Sequence, residues 1–194
     1  MSEVEAKLKA VREILTKHHA GAIRLRGVDW FSWITCGGTS VVIMTSETGI
    51  ADVFVTANEA WILTDTIEAT RLIAEEVPAV FQVTSFPWQD DRAKDNFVLA
   101  RTQGQKIISD RPRGDELAIP AELQILKMKM QPEEIERYRK LGQGAARAMS
   151  EAMSQARPEW SENDLAAAGA KALWSRGIEP TLILVAGEKR GAIY

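Results

Sequence analysis

The chain has 194 residues, 45% of them apolar, with a formal net charge of -3. That composition excludes a disordered chain and leaves room for one ordinary domain plus part of another, each with a buried core. The 24 Lys and Arg are dispersed among 27 acids, which gives no basic stripe for nucleic acid, and Cys36 is the only cysteine, which excludes an intramolecular disulfide and a paired-thiolate zinc site.

Ser2 with Glu5 three residues on has the form of a capping box, and Val4, Leu8, Val11 and Leu15 repeat at helical spacing. They predict a helix from about Glu3 to His19 in place of the apolar core of a signal peptide. With no run near the ~20 apolar residues of a membrane span, a cytoplasmic protein is the expectation. "GAIRLR" follows as a strand, then a loop, "GVDWFSWITCGG", rich in aromatics and glycines. Three β runs come next, "SVVIMT", "ADVFVT" and "AWILT", separated by turn signals and read as an antiparallel meander. Asp65 and Glu68 cap a helix to about Val77. The strand "AVFQVTSF", a helix from about Asp91 to Arg101 and the strand "KIISD" then alternate, a spacing that demands a crossover and some parallel pairing. These residues predict an α/β domain over residues 1–128, with a mixed sheet and helices on its faces.

The composition changes near "LKMKMQPEEIERYRK". Pro132 suits the first turn of a helix, Glu133 and Glu134 complement its dipole, and Ile135, Tyr138, Gly142, Ala145, Met149 and Met153 mark one face of a long helix to about Ala156. Ser161 and Asp164 cap a further helix through Trp174, ended by Gly177. Thr181 to Ala186 is an apolar run that predicts a buried strand, Gly187 begins a turn, and a second strand starts at Ala192 to Tyr194. The second unit, residues 129–194, therefore reads as helix, helix, strand, ending in half a hairpin.

Chemistry is sparse along this chain. "GQGAAR" at Gly142 lies within a predicted helix, where its glycines serve close helix packing better than phosphate binding. His18 and His19 are adjacent at a helix end and point about 100° apart, which suits a solvated C-terminal pair favoured by the helix dipole better than a metal site. Cys36 has no histidine base near it in sequence and reads as a packed thiol. Asp90-Asp91 and Asp115-Glu116 sit among Arg and Lys, as caps and ion pairs do. The stretch with most chemical character is "DWFSWITCGG": Trp30 and Trp33 are the candidate substrate-binding residues, since indoles offer apolar area with a polar N–H. The alternative reading has Trp30, Phe31 and Trp33 close the core beneath the meander. No catalytic residue, metal ligand or cofactor site is assigned to this chain.

The second half, from "KMQPEEIERYRK" through "ARPEWSENDLAAA" to "LILVAG", resembles the opening of the pita-bread catalytic domain in the creatinase, prolidase and aminopeptidase P family of metallopeptidases. The first half resembles that family's N-terminal creatinase-type domain: "DWFSWITCGG" is similar to its N-x-x-Y-L-T-G stretch, with Trp30 and Trp33 in place of the usual residues, and "EAWILTDTIEATRLIAEEV" is similar to its strand, Asp and helix. The resemblance implies a creatinase-like domain followed by the first two helices and strand of an incomplete pita-bread α+β domain. It further implies a parent hydrolase of Xaa-Pro peptides that uses two divalent metal ions (Mn, Co or Zn), whose ligands lie beyond Tyr194, so that this chain by itself is inactive. A homodimer is the expected assembly. The alternative is a non-catalytic peptide-binding or oligomerisation module derived from the same family.

Overall fold

A computed structural model describes residues 1–90 and 92–193, which divide into two units, Met1–Met130 and Gln131–Tyr194. In the first unit, α1 (Glu3–Lys17) starts where the sequence places it. The Ser2 hydroxyl accepts from the Glu5 N–H at 3.4 Å while the Glu5 carboxylate accepts from the Ser2 N–H at 2.7 Å. Two orphan donors of the first turn are thereby satisfied.

Six strands form one mixed sheet in the order β4-β3-β2-β1-β5-β6: β1 (Ala22–Gly27), β2 (Thr48–Thr56), β3 (Ala60–Asp65), β4 (Gln82–Phe86), β5 (Ile107–Ser109) and β6 (Leu117–Ala118). The pairs β1–β2 and β2–β3 are antiparallel; β3–β4, β1–β5 and β5–β6 are parallel. This is the mixed-sheet α/β fold with flanking helices that the alternation of elements predicts.

Strand side chains alternate between faces, and each face has its own core. Ile23, Leu25, Val53, Val55 and Ile62 join Leu8, Val11 and Leu15 of α1, Phe31 and Ile34 of α2 (Val28–Thr35), and Leu123 of α5 (Ala121–Met128). On the opposite face Ala22, Phe54, Trp61, Leu63 and Ile107 pack with Val98 of α4 (Ala93–Thr102). There Phe54 stacks on Trp61 at 5.4 Å, and the Phe97 ring stands edge-on to Trp61 at 5.9 Å. The same alternation turns Arg24, Arg26 and Asp52 toward this second face.

Four local expectations are corrected. The segment expected as an aromatic loop is the helix α2, ended by Cys36 in the left-handed region at φ 64°. "SVVIMT" is irregular, with Val42, Ile43 and Met44 exposed. Both edges of β1 and of β2 are already paired, and a strand needs a free edge. The helix expected after Asp65 begins later. Asp65 Oδ1 accepts from the N–H groups of Ile67 and Glu68, and α3 (Ala69–Arg71) then widens into a π-helical turn at Leu72–Glu76. Finally, α5 and β6 occur where the sequence reading placed no element.

The second unit contains α6 (Pro132–Gln155), α7 (Glu162–Trp174) and the short α8 (Glu188–Gly191). The Ser161–Asp164 capping box is present, and Ala148, Ala152 and Ala172 are buried. The strand expected at residues 181–186 is absent: the segment is irregular, with Leu182 and Leu184 at 73% and 82% exposure, and no strand of this unit among the described residues lies beside it to pair its backbone. Residues 188–191, expected as a turn, form α8, and Ala192 and Ile193, where the second strand was expected to start, are a turn; Tyr194 lies outside the described residues. Gly142 faces open space, so it mediates no helix packing, whereas a Cβ on Gly144 would meet Ile178 Cδ1 at 3.0 Å.

Candidate functional site

The aromatic stretch "DWFSWI" folds into α2 because four of its six side chains are apolar and the helix is covered by the sheet, α1 and the core residues around it; Trp30, Phe31, Trp33, Ile34 and Thr35 are all buried. Trp30 and Trp33 are 5% and 7% exposed and stand edge to face at 5.7 Å. Each carries a cation: the Lys127 ammonium lies 4.3 Å from the Trp30 ring centroid and that of Lys7 5.2 Å from Trp33. Lys127 also pairs with Asp29, and Lys7 with Glu3 at 2.8 Å and with the Trp33 carbonyl at 2.6 Å. The indoles thus form a packed base under two held cations.

The strongest polar constellation of the first unit is on β1, where sequence reasoning singled out nothing. Arg24 donates to Asp52 Oδ2 through Nε at 2.7 Å and to Asp95 Oδ1 through Nη1 at 2.5 Å. Arg26 forms a two-pronged pair with Glu116, both bonds 2.7 Å, and also donates to Ser109 Oγ at 2.7 Å and to the Arg111 carbonyl at 2.9 Å. The Asp110 carboxylate accepts from the N–H groups of Arg26 and Gly27 at 2.8 and 2.7 Å, so the strand's bulged end is bonded to the loop after β5. Burial pushes Arg24 toward losing its proton, and Asp52 and Asp95 together more than reverse this. Burial likewise pushes Glu116 up, but Arg26 and the Arg113 N–H hold it below the ordinary carboxylate value. A set of guanidinium–carboxylate pairs of this kind binds and positions charge. The signal for it was the pair of arginines two apart in an otherwise apolar strand: period 2 puts both on one buried face, where each needs an acid.

The other sequence candidates, Glu116 excepted, are placed apart from this network. His18 ends α1 with Nε2 2.6 Å from Glu122 Oε1, and His19 sits at φ 50°. Glu122 also pairs with Lys17 at 2.9 Å, and its carboxyl is lowered to about 2, by the hydrogen bond from His18 first and that from Lys17 second. Cys36 is half-buried at the end of α2. Asp90 accepts from the Arg92 N–H at 3.0 Å, as a turn cap; Asp91 lies outside the described residues. Glu116 of the Asp115-Glu116 pair is the partner of Arg26.

Among the described residues no three His, Cys, Asp or Glu side chains converge as metal ligands would. The acids of the β1 network are bound instead to guanidinium groups, which a divalent ion would have to displace. These residues therefore do not fit a two-metal centre. No helix among the described residues is long and apolar enough to cross a membrane.

Compared by sequence, the chain matches no protein-family model and no characterised protein. In structure it is similar to an X-Pro aminopeptidase from Thermotoga maritima, with a TM-score of 0.64 and 14% identity over 88% of this chain and 49% of that one. It is similar also to a prolidase from Pyrococcus horikoshii, at TM-score 0.66 and 15% identity over 86% of this chain and 48% of that one. An Xaa-Pro dipeptidase from Bacillus anthracis gives 0.65 and 13% over 89% and 49%. The chain spans about half the length of these structures. At such identities the likeness is one of fold, and the fold is that of about half of a prolidase or Xaa-Pro peptidase structure.

Proposed function

We propose that this chain is the N-terminal portion of a metal-dependent hydrolase of Xaa-Pro peptides, an aminopeptidase or dipeptidase. In this reading residues 1–128 are a creatinase-like domain and residues 129–194 the first helices of a pita-bread domain. The observation that supports it is the match, at TM-scores of 0.64 and 0.66, to half of an X-Pro aminopeptidase and half of a prolidase. Two divalent ions, Mn, Co or Zn, would polarise the peptide carbonyl and activate water in the longer protein. In this proposal the metal ligands belong to the rest of the longer protein, and the 194-residue chain alone is inactive. Trp30 and Trp33, which lie beneath Lys127 and Lys7, enter the proposal as the substrate-binding candidates of the first unit.

The test is the intact mass of the protein in its source cells, combined with assays of the 194-residue chain and of the longer species. The expected result is a species well above 21.5 kDa that hydrolyses Xaa-Pro dipeptides when loaded with Mn, Co or Zn, while the 194-residue chain does not. Hydrolysis by the short chain that scales with its concentration and resists removal of contaminants overturns the proposal.

One observation favours the second reading, a non-catalytic peptide-binding or oligomerisation module: the apolar side chains Leu182 and Leu184 are largely exposed beside α7. That module would assemble as a homodimer in the cytoplasm. A solution mass of one chain at every concentration refutes it.

A further inference from the structure

A cavity of about 490 Å³ opens on the α4 face of the first unit, lined by Arg24 and Arg26 on one side, Lys106 and Arg113 at the rim, and Val98 and Leu99 of α4. Its cations fall into two kinds. Arg24 is held from behind by Asp52, whose side chain is 10% exposed, and from the cavity side by Asp95, whose side chain is 46% exposed. The inner bond is sealed from water and the outer one is not. Because an exposed ion pair is weak, a carboxylate from solution can exchange with Asp95 at Arg24. Arg26 is committed to Glu116, although its Nε is buried without a hydrogen-bond partner.

Lys106 and Arg113, by contrast, are exposed, and neither side chain makes an ion pair among the described residues. The acids of the lining are Asp95, Glu116 bound to Arg26, and Asp115, exposed on the rim. Two uncommitted cations therefore stand beside one exchangeable acid, facing the apolar side chains of Val98, Leu99 and Ile107.

We propose that this cavity binds a small organic monocarboxylate with a branched apolar group, its carboxylate taking the place of Asp95 at Arg24 and its apolar group lying on Val98 and Leu99. Arginine favours such a ligand because its planar fork matches the two carboxylate oxygens. The proposal concerns the first unit alone and does not rest on the peptidase reading.

The experiment is an amide-resolved NMR titration of the 194-residue chain with 4-methylpentanoate, its uncharged amide 4-methylpentanamide, and inorganic phosphate. The expected result is saturable shifts confined to residues 24–26, 95–107 and 113–116 with the carboxylate alone. Asp95→Asn removes the internal competitor and is expected to tighten binding roughly twofold to fivefold, the factor that a weak exposed ion pair represents. The double substitution Lys106→Met with Arg113→Met is expected to weaken it by a similar factor. Both sets of side chains are exposed, so the variants should keep the wild-type spectrum elsewhere. The proposal is overturned if the amide or phosphate gives the same saturable shifts, if Asp95→Asn weakens binding, or if neither wild type nor Asp95→Asn saturates.

Discussion

Asp52 and Asp95 bind the same guanidinium and should differ greatly in what they contribute to stability. The Asp52 carboxylate is 10% exposed, 2.6 Å from Arg24 Nη2 and 3.9 Å from Arg26 Nε; the Asp95 side chain is 46% exposed. Asp52→Asn keeps the shape and removes the charge, which leaves the buried Arg24 with only a solvent-facing partner. Breaking a buried pair on one side costs about 3–5 kcal/mol, whereas an exposed pair contributes about 0–1 kcal/mol. For a unit of this size the first figure corresponds to a fall in melting temperature of roughly 10–20 °C and the second to a few degrees at most. Urea unfolding followed by circular dichroism, with the slope checked for constancy, measures both. Replacing Arg24 and Asp52 together by Met and Leu should recover most of the Asp52→Asn loss, because no charge is then stranded. If Asp52→Asn costs under about 1 kcal/mol, or no more than Asp95→Asn, burial is not what sets the strength of this network.

Leu123 is fully buried and docks α5 on the α1 face, so Leu123→Ala is expected to cost about 2–5 kcal/mol in the same unfolding assay. A Cβ at position 38 would meet the Glu76 carbonyl oxygen at 2.2 Å, and since the obstacle is backbone, Gly38→Ala is expected to destabilise by about 1–3 kcal/mol, which thermal unfolding would register. The Glu122 carboxyl, lowered from 4.5 to about 2, stabilises the folded state above the unfolded value, and that contribution is lost as pH falls through 4.5 toward 2. A carboxyl-detected NMR titration should place its midpoint far below 4.5, and His18→Ala should raise it.

Local chemistry fixed the elements whose signals are self-contained. The capping boxes at Ser2–Glu5 and Ser161–Asp164 form in the first turn of their own helices, and the pattern of "ADVFVT" and "AWILT" needs only period 2 to become β2 and β3. The fold class followed, because a strand-helix-strand alternation around a short antiparallel meander admits few sheets.

What the sequence left undetermined depended on which surfaces cover a segment and which sheet edges are free. "DWFSWI" and "SVVIMT" are both short apolar runs, and periodicity does not separate a helix covered on most sides from a strand. The first became α2 because it is enclosed by the sheet and α1, and the second stayed irregular because β1 and β2 had no edge to offer. The apolar run at residues 181–186 lacks a strand partner in the same way. The Arg24–Asp52–Asp95 and Arg26–Glu116 pairings join residues up to 90 positions apart, and only the sheet register and the placement of α4 bring them together. Sequence thus determined the elements and the class of fold; tertiary structure decided which charges meet, because burial makes an arginine seek an acid wherever the chain can deliver one.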